Sequence, residues 1–353
     1  MLRCRFHHHG EEDEAFCGAR RVYEGNGCLL VDDAGQRIWE GSVPSSADRI
    51  AAIVRENAPE LVRVGMETGP QAVWLWHALR ERGIAVDCIH AQRAAAALKL
   101  QANKTDRNDA FGLARLVHSG WYETVAIKSF DRYRMRAVLT ARERIVRMCT
   151  TMINQIRGLA KTFGLTLSAG KGQVFEASVR RTLPDDTVLR DLFESLLSVL
   201  SGLKDQRRAF DRQLGRFARE DEACRIVSSA PSVGSLTAIA FVTAVDDPAR
   251  FRTACDVGAY LGLTPKRYQS GEVDIGGRIS KAGDRLTRKL LFEAATVILY
   301  RASPTIALKQ WGLRLSARSG SWKARVALAR KLAVTLLTMW KTNTMFENRS
   351  FAA

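Results

Sequence analysis

Two long apolar stripes in the middle of the chain restrict its possible folds. Residues 132–160 and about 186–220 repeat apolar side chains at helical spacing, and the second stretch keeps a near-heptad pattern. We predict two long helices that pair with each other as an intramolecular hairpin or with another subunit, and the pattern favours neither. The predicted helical coiled-coil region covers residues 130–222 and separates two globular parts.

The N-terminal part, residues 16–125, has the pattern of an α/β domain. The predicted elements are strands at 16–23, 27–32 and 37–43, a helix at 46–57, a strand at 61–67, a helix at 71–83, a strand at 84–89 and helices at 91–101 and 105–118. Three antiparallel strands followed by helices that alternate with short parallel strands indicate a sheet of the ribonuclease-H kind. In such a sheet, sites form at the carboxyl ends of the strands.

Two aspartates open the last of these helices. Thr105 is suited to cap it, and the spacing of Asp106 and Asp109 places both carboxylates on one face of the first turn. Glu67 ends a predicted strand, so we expect it beside them. Crowded carboxylates repel one another unless a cation lies between them, and Mg²⁺ prefers such oxygen ligands. A solvated helix start, where acids favour the helix dipole, is the alternative on these residues alone.

The C-terminal part covers residues 226–345. A Pro/Gly turn at 230–237 resembles the hairpin of a helix-hairpin-helix motif, although an ordinary helix-turn-helix packing unit explains it equally well. Two basic, Gly-rich segments, 265–271 and 276–284, precede predicted helices. These helices cover residues 284–300, 304–318 and 322–341.

Ser280 lies in the second basic segment, close to the start of a predicted helix. Positive charge from Arg278, Lys281 and Arg285 surrounds its hydroxyl in sequence. A phosphate group held there would lie against the serine, and positive charge would stabilise an alkoxide. The alternative role for Ser280 is that of a turn or cap residue.

The charge balance indicates a polyanionic partner. The chain has 54 Lys and Arg against 37 Asp and Glu, a formal charge of +17 and a pI near 10.0, as is typical of nucleic-acid-binding proteins. No apolar run is long enough to span a bilayer, and no signal peptide opens the sequence, so we expect a cytoplasmic, nucleoid-associated protein. The seven cysteines are scattered, which favours reduced thiols over a disulfide framework or a zinc site.

Four motifs occur together and in order along the chain. They are Gly-Met-Glu-Thr-Gly at 65–69, Asn-Lys-Thr-Asp-Arg-Asn-Asp-Ala at 103–110, Gly-Trp-Tyr at 120–122 and Arg-Ile-Ser-Lys-Ala-Gly-Asp at 278–284. In this combination the chain resembles the IS110 family of transposases, the group that includes the Piv and MooV invertases. The similarity covers about residues 16–345.

The resemblance implies a ribonuclease-H-like (RuvC-like) N-terminal domain with a DEDD acidic tetrad, a coiled-coil linker and a mainly helical transposase domain with a nucleophilic serine. It implies that Glu67, Asp106 and Asp109 are the last three acids, binding Mg²⁺, and that Ser280 is the nucleophile. The implied partners are donor and target DNA, a structured bridge RNA that guides the reaction, and further copies of the chain in a homodimer or homotetramer, in which one chain's acids serve another's serine. Candidate contacts to nucleic acid are Lys104, Arg107, Arg278, Lys281 and Arg285.

One position departs from the family pattern. Arg20 stands where the first strand of the family carries the first aspartate of the tetrad, and a cation there would compete with the metal. We hypothesise that residues before about Val31 are translated from a shifted reading frame. Read one nucleotide later, codons available for residues 19–28 can spell Leu-Asp-Val-Tyr-Thr-Lys-Glu-Thr-Ala-Val, which restores the acid in place. Codons available from His9 can spell Met-Glu-Lys-Lys-Met-Lys-His-Ser-Val-Gly, so residues 1–15 are predicted to be a disordered or mistranslated tail.

A second, smaller departure lies in the Pro/Gly turn. The Pro-Gly-Val-Gly expected near 231 reads Pro-Ser-Val-Gly here, which affects only the turn geometry.

Three functions are compatible with these observations. The first is a transposase or site-specific recombinase impaired by Arg20. The second is a catalytically dead relic that still binds DNA and RNA through its basic surface. The third is a ribonuclease-H-like nuclease or junction resolvase that uses the acids alone, and it leaves the C-terminal half without a role. Only the first predicts a covalent protein–DNA adduct that depends on Ser280 and Mg²⁺.

Overall fold

The computed structural model describes residues 5–8, 11–14, 16–22, 25–59, 63–98, 105–271 and 273–348, with side chains from residue 27 onward, that of Asp106 apart. The chain divides into two compact units, Met1–Lys128 and Ser129–Ala353. The first combines strands with helices, and the second is mostly helical. The mixed α/β class predicted for the N-terminal part and the helical class predicted for the C-terminal part are therefore confirmed.

A short ribbon precedes the main sheet of the first unit. Strands β1 (Arg5–His8) and β2 (Glu11–Glu14) pair antiparallel with each other. The interpretation of residues 1–15 as a disordered or mistranslated tail stays a prediction, and the described part of this stretch is the paired ribbon.

The first unit is built on a five-stranded mixed sheet. Its strands are β3 (Phe16–Val22), β4 (Gly25–Val31), β5 (Arg37–Val43), β6 (Val64–Glu67) and β7 (Val86–Ile89). The strand order is β5-β4-β3-β6-β7, in which β3, β4 and β5 pair antiparallel and β6 and β7 extend the sheet in parallel. The predicted antiparallel meander followed by parallel strands is therefore present.

Helices cover both faces of this sheet. Helices α1 (Ala47–Asn57) and α2 (Ala72–Glu81) pack on one face, and α3 (Ala91–Leu98) and α4 (Asp106–His118) pack on the other. Alternation along β4 divides the two cores, because Leu30 packs with α1 and α2 whereas Leu29 and Val31 pack with α3 and α4. The parallel strands therefore have one face toward α4, which carries the aspartates.

The second unit begins with a pair of long helices. These are α5 (Phe130–Thr162) and α7 (Thr187–Glu220), with the shorter α6 (Gln173–Thr182) between them. Arg132 near the start of α5 pairs with Asp221 just beyond α7, and Arg142 Nε lies 2.8 Å from Asp211 Oδ1. The two helices therefore run antiparallel and pack within one chain, which answers the choice that their sequence left open in favour of an intramolecular hairpin.

A helical core follows the long pair. Its elements are α8 (Glu222–Ser228), α9 (Ser235–Val245), a 3₁₀ turn (Pro248–Arg250), α10 (Asp256–Tyr260), β8 (Pro265–Ser270), β9 (Val273–Ile279), α11 (Arg285–Arg301), α12 (Ala307–Ser319) and α13 (Ser321–Thr342). Every residue of α9 after its first two is buried, and α8, α11 and α13 pack around it or against one another. The basic Gly-rich segments form an antiparallel hairpin, β8 with β9, that the sequence did not predict.

The Pro/Gly turn joins α8 to α9. Ser232, at the position of the second departure, has a φ of +63°, a left-handed conformation that glycine adopts more readily than serine. The turn therefore keeps glycine-like geometry with a serine in it. In the described part of the chain, none of the helices is both long enough and apolar enough to cross a membrane.

Candidate active site

Two of the predicted acids lie on the same face of the N-terminal sheet. Val64 and Met66 of β6 pack with α1 and α2, so alternation directs Glu67, at the carboxyl end of that strand, toward the face that α3 and α4 cover. Asp109 is 6% exposed in the first turn of α4, and α4 packs against β3, β4 and β6. The fold therefore brings Glu67 and Asp109 to one face at the end of the parallel strands.

Local hydrogen bonds fix the start of α4. Thr105 is its N-cap, and its Oγ1 accepts a hydrogen bond from the Asn108 amide at 3.1 Å. The Asp109 amide donates to the Thr105 carbonyl at 2.9 Å. Asp106 is the first residue of the helix, three positions before Asp109, and its side chain lies outside the described ones. The cap predicted from the sequence is thus confirmed, and it fixes the backbone of the first turn, which carries Asp109.

The strand register also positions residue 20. In the parallel pairing of β3 with β6, Ala19 is the partner of Met66. The next residues along the two strands are Arg20 and Glu67. The backbone of position 20 therefore lies level with Glu67 at the carboxyl end of neighbouring strands.

The carboxylates of this face have the right chemistry for a hard cation. Among the described side chains, no three His, Cys, Asp or Glu residues gather into a group able to hold a metal ion. Glu67 and Asp109 supply two carboxylates, which with substrate phosphate oxygens are a common protein contribution to a magnesium site. Glu67 and Asp109 therefore offer carboxylate oxygens of the kind that a hard divalent cation binds.

An ion pair ties the start of α4 to the sheet. Arg107 Nε lies 2.8 Å from Glu40 Oε1 of β5, and Arg37 Nη1 lies 2.7 Å from Glu40 Oε2. Arg107, a predicted nucleic-acid contact, thus has an intramolecular partner, although its side chain stays 62% exposed. Lys104, another predicted contact, lies outside the described residues.

A second network, which the sequence did not predict, holds the edge strand β7. The Tyr122 hydroxyl donates to Asp87 Oδ2 at 2.6 Å, and Arg63 Nη1 donates to the same oxygen at 3.2 Å. Burial raises the pKa of Tyr122. The pKa of Arg63 is also raised, first by its hydrogen bond with Tyr122 and then by the negative charge of Asp87. These three residues come from separate parts of the sequence, so only the register could reveal that they meet.

In the second unit, Ser280 opens a tightly wound loop directly after β9. Its amide donates to the Thr264 carbonyl at 2.9 Å, and its Oγ accepts a weak hydrogen bond from the Ala282 amide at 3.4 Å. Ser280 is half-buried, and Lys281 after it has a φ of +56°. The hydroxyl therefore belongs to a serine turn and does not cap the following helix.

Two glycines allow the loop to approach the chain that precedes β8. A Cβ on Gly262 would lie 2.2 Å from the Ala282 carbonyl oxygen, and one on Gly283 would lie 2.1 Å from the Tyr260 carbonyl oxygen. Both residues have positive φ values, +67° and +70°. Arg288 completes the contact by donating to the Leu261 carbonyl at 3.0 Å and to the Ala282 carbonyl. Backbone contacts on both sides therefore fix Ser280.

Asp284 is the actual cap of α11. Its Oδ1 accepts a hydrogen bond from the Thr287 amide at 2.6 Å, and it forms an ion pair with Arg136 of α5. Burial opposes ionisation of this carboxyl, but the Thr287 amide and the charge of Arg136 outweigh it and lower the pKa of Asp284. An aspartate directly before the helix was the available sequence signal, since Asp is a preferred N-cap.

A basic groove lies beside this cap, between α5 and α11. Its volume is about 820 Å³, and Arg136, Arg147, Arg285 and Lys289 contribute to its lining. Arg285 is exposed there, as are Lys281 in the loop and Arg278 on β9. All three of the arginine and lysine residues predicted beside Ser280 therefore remain accessible to a ligand. The acids and Ser280 belong to different compact units.

Comparison with known proteins finds two family matches. Residues 26–164 match a transposase family model of the DEDD type named for IS110, and residues 224–310 match the transposase IS116/IS110/IS902 family. The first match includes Glu67, Asp106 and Asp109, and the second includes Ser280.

Individual relatives are also transposases by name. The transposase for insertion sequence element IS1111A of Coxiella burnetii is 32% identical over 243 residues, 66% of this chain and 66% of that protein. A putative transposase of Sinorhizobium fredii, y4pF/y4sB, is 30% identical over 70% of this chain and 65% of its own length. A probable family 20 transposase of Pseudomonas aeruginosa is 28% identical over 80% of this chain and 85% of its own length. The matched region thus spans just under two thirds of the first two relatives.

Proposed function

Since this chain belongs to the IS110 family of transposases, we propose that it is the transposase of an insertion sequence, built to cut and rejoin DNA through Ser280. The observation that carries the proposal is the pairing of two motifs in one chain. Glu67 and Asp109 share a sheet face in one unit, and Ser280 lies in a glycine-bound loop with exposed cations in the other. A nuclease that used the acids alone would have no need of the second feature.

The proposed domains follow from the same motifs. A RuvC-like, ribonuclease-H-like domain over residues 16–125 is supported by the order β5-β4-β3-β6-β7, with three antiparallel and two parallel strands. The paired helices α5 and α7 support a coiled-coil region over residues 130–222. The transposase domain would cover residues 226–345, with the turn between α8 and α9 as its helix-hairpin-helix-like element.

The proposed reaction is a transesterification at a DNA phosphate. The Ser280 oxygen forms a bond to phosphorus, the bond from phosphorus to the 3′ oxygen breaks, and the serine proton leaves through solvent while the departing 3′ oxygen is protonated. The product is a 5′-phosphoserine ester and a free 3′-hydroxyl. Attack of a 3′-hydroxyl on the ester reverses the step, so strands are resealed without ATP.

The chain's own residues have defined parts in this scheme. Positive charge from Arg278, Lys281 and Arg285 would bind the phosphate and stabilise the serine alkoxide. The close approach at Gly262 and Gly283 would hold the hydroxyl in position. Glu67, Asp106 and Asp109 would bind Mg²⁺, which, when bound, neutralises charge on the scissile phosphate.

DNA and RNA are the proposed partners. The net charge of +17 suits two polyanions, and the family resemblance supports a bridge RNA that pairs with donor and target DNA. We also propose a homodimer or homotetramer, which sedimentation of the complex with nucleic acid would measure.

Arg20 makes the chain as written a poor catalyst in this proposal. An arginine at this backbone position supplies a positive charge in place of a metal ligand, and like charges repel. The family match begins at residue 26, so position 20 lies outside it, and the shifted reading frame before about Val31 stays our hypothesis. The alternative is a genuine substitution in a catalytically dead relic that still binds DNA and RNA.

The nucleotide sequence of the gene through codon Val31, read in all three frames, separates these two alternatives. A shifted frame that encodes Gly-Leu-Asp-Val identifies a damaged copy, and its absence identifies a true substitution. Independently, Arg20→Asp should raise Mg²⁺-dependent strand cleavage above that of the unaltered chain. A repaired chain without cleavage would contradict the proposal.

The adduct test examines the serine. Labelled DNA carrying the gene and its flanks is incubated with RNA transcribed from those flanks and with the frame-repaired chain, and protein-bound label is measured on a denaturing gel. Label should be lost in Ser280→Ala and on chelation of Mg²⁺, and retained in Ser270→Ala, which alters an exposed serine of the neighbouring hairpin. Cleavage that continues in Ser280→Ala would instead indicate a nuclease that uses the acids alone.

A further inference from the structure

An aromatic pair with an arginine against it lies on the surface of the second unit. Trp322, the second residue of α13, stacks on Phe292 of α11 with ring centroids 5.8 Å apart and an interplanar angle of 17°. The Arg325 guanidinium lies 4.1 Å from the Trp322 ring centroid and 5.3 Å from that of Phe292. We call Phe292, Trp322 and Arg325 the aromatic platform.

The platform is ordered and yet largely open. Arg325 Nε donates to the Ser321 carbonyl at 3.2 Å, so the guanidinium is tied to the helix that carries the tryptophan. Trp322 nevertheless remains 69% exposed, which leaves much of a large apolar ring in water. A ring held in place while exposed is prepared for a ligand, since little side-chain freedom remains to be lost on binding.

The charge around the platform identifies the kind of ligand. Residues 307–342, which form α12 and α13, contain eight Lys and Arg and no Asp or Glu. Glu293, next to Phe292, lies 3.9 Å from the ammonium of Lys289. An excess of positive charge on these two helices attracts a polyanion, and it opposes their pairing with a second copy of the chain.

We propose that the aromatic platform binds an unpaired base of a nucleic-acid strand, which stacks on Trp322 while neighbouring cations contact the backbone. Exposed aromatic rings beside Lys and Arg are the general means of holding single strands, because every base offers a flat π surface. The inference rests on the proposed function, in which strands of DNA and RNA are exchanged. It adds a position that belongs to none of the four sequence motifs.

The test compares strands with and without bases. The full chain is titrated with fluorescent strands of about twelve nucleotides, namely oligothymidylate, oligouridylate and an abasic DNA strand of equal length and charge. Trp322→Ala should weaken binding of the base-containing strands by roughly 5- to 100-fold and leave binding of the abasic strand unchanged. Trp322→Phe should restore part of the loss.

Two further variants separate stacking from charge and from general surface effects. Lys323 lies next to the tryptophan in sequence. Lys323→Ala should weaken binding of all three strands equally and lower the slope of log affinity against log salt concentration by about one. Trp322→Ala should leave that slope unchanged. Tyr300 is an aromatic residue of α11 outside the platform, and its side chain is 58% exposed. Tyr300→Ala should not change the preference for strands that carry bases.

The outcomes have separate meanings. A larger loss with oligouridylate indicates an RNA strand, and a larger loss with oligothymidylate indicates a DNA strand. If Trp322→Ala keeps the same preference for strands with bases, the inference is overturned. It is also overturned if the unaltered chain self-associates with rising concentration and Trp322→Ala abolishes that association. If the unaltered chain binds none of the strands, the proposed function fails as well, so the two failures can be told apart.

Discussion

Replacing Gly283 by alanine tests whether backbone contact fixes the loop of Ser280. The added Cβ would lie 2.1 Å from the Tyr260 carbonyl oxygen. A carbonyl of the main chain has no rotamer by which to retreat, so the loop itself has to move. Gly164, two residues after the end of α5, is a matched control because it has the same φ of +70° and no atom within 4 Å of an added Cβ.

The expected magnitudes follow from these geometries. A left-handed alanine costs about 1–2 kcal/mol, and this is the only term at Gly164. Forcing a group into a filled space adds about 1–3 kcal/mol at Gly283. Gly283→Ala should therefore lower the free energy of unfolding by about 2–5 kcal/mol, and Gly164→Ala by about 1–2 kcal/mol.

Urea denaturation followed by circular dichroism measures both values in the same unit of the chain. Gly262→Ala is an independent check, since its Cβ would lie 2.2 Å from the Ala282 carbonyl oxygen. The double variant with Gly283→Ala should lose less stability than the two single losses combined, because both strain one contact. Equal losses for Gly283→Ala and Gly164→Ala would refute the reasoning.

Three further changes have defined outcomes. Tyr122→Phe removes the hydrogen bond to Asp87 and should lower the free energy of unfolding by about 1–3 kcal/mol in urea titrations; no loss would mean that the bond is absent in solution. Asp284→Asn should destabilise the chain near neutral pH, because a carboxyl whose pKa is lowered from 3.8 contributes stability above that value and loses it as the pH falls below the folded pKa. The gap between the two chains should therefore close in acid, and a gap that widens there would contradict the sign. Ser232→Gly should raise the free energy of unfolding by about 0.5–1 kcal/mol by relieving the positive φ, and a lowered thermal midpoint would argue against that strain.

Local signals predicted the elements that carry the acids. The cap at Thr105 and the short strand ending at Glu67 are consequences of a few neighbouring residues, and both are present in the structure. The long helices were equally visible, because their apolar stripes extend over many turns. Their pairing within one chain was not, since the same stripe would serve a partner subunit.

The contacts around Ser280 could not be predicted in the same way. Gly262 approaches Ala282, and Gly283 approaches Tyr260, only because β8 and β9 fold back as a hairpin. That hairpin is exposed along nearly all its length, so it lacks the alternation of buried and exposed residues by which strands are recognised. Without it, Ser280 appeared to lie at the helix start, where Asp284 is the cap.

The long pair α5 and α7 has a consequence for how the molecule can change its length. Its 33-residue first helix extends about 50 Å at 1.5 Å per residue. Apolar clusters hold the pair at both ends, one around Leu139 and Leu214 and the other around Ile156 and Phe193, while Arg142 and Asp211 meet between them. The two helices are therefore held together by two separate apolar clusters with a polar contact between them. Adding seven residues, close to two complete turns, to each helix in the polar middle would lengthen the pair by about 10.5 Å and keep both clusters close to their present orientation.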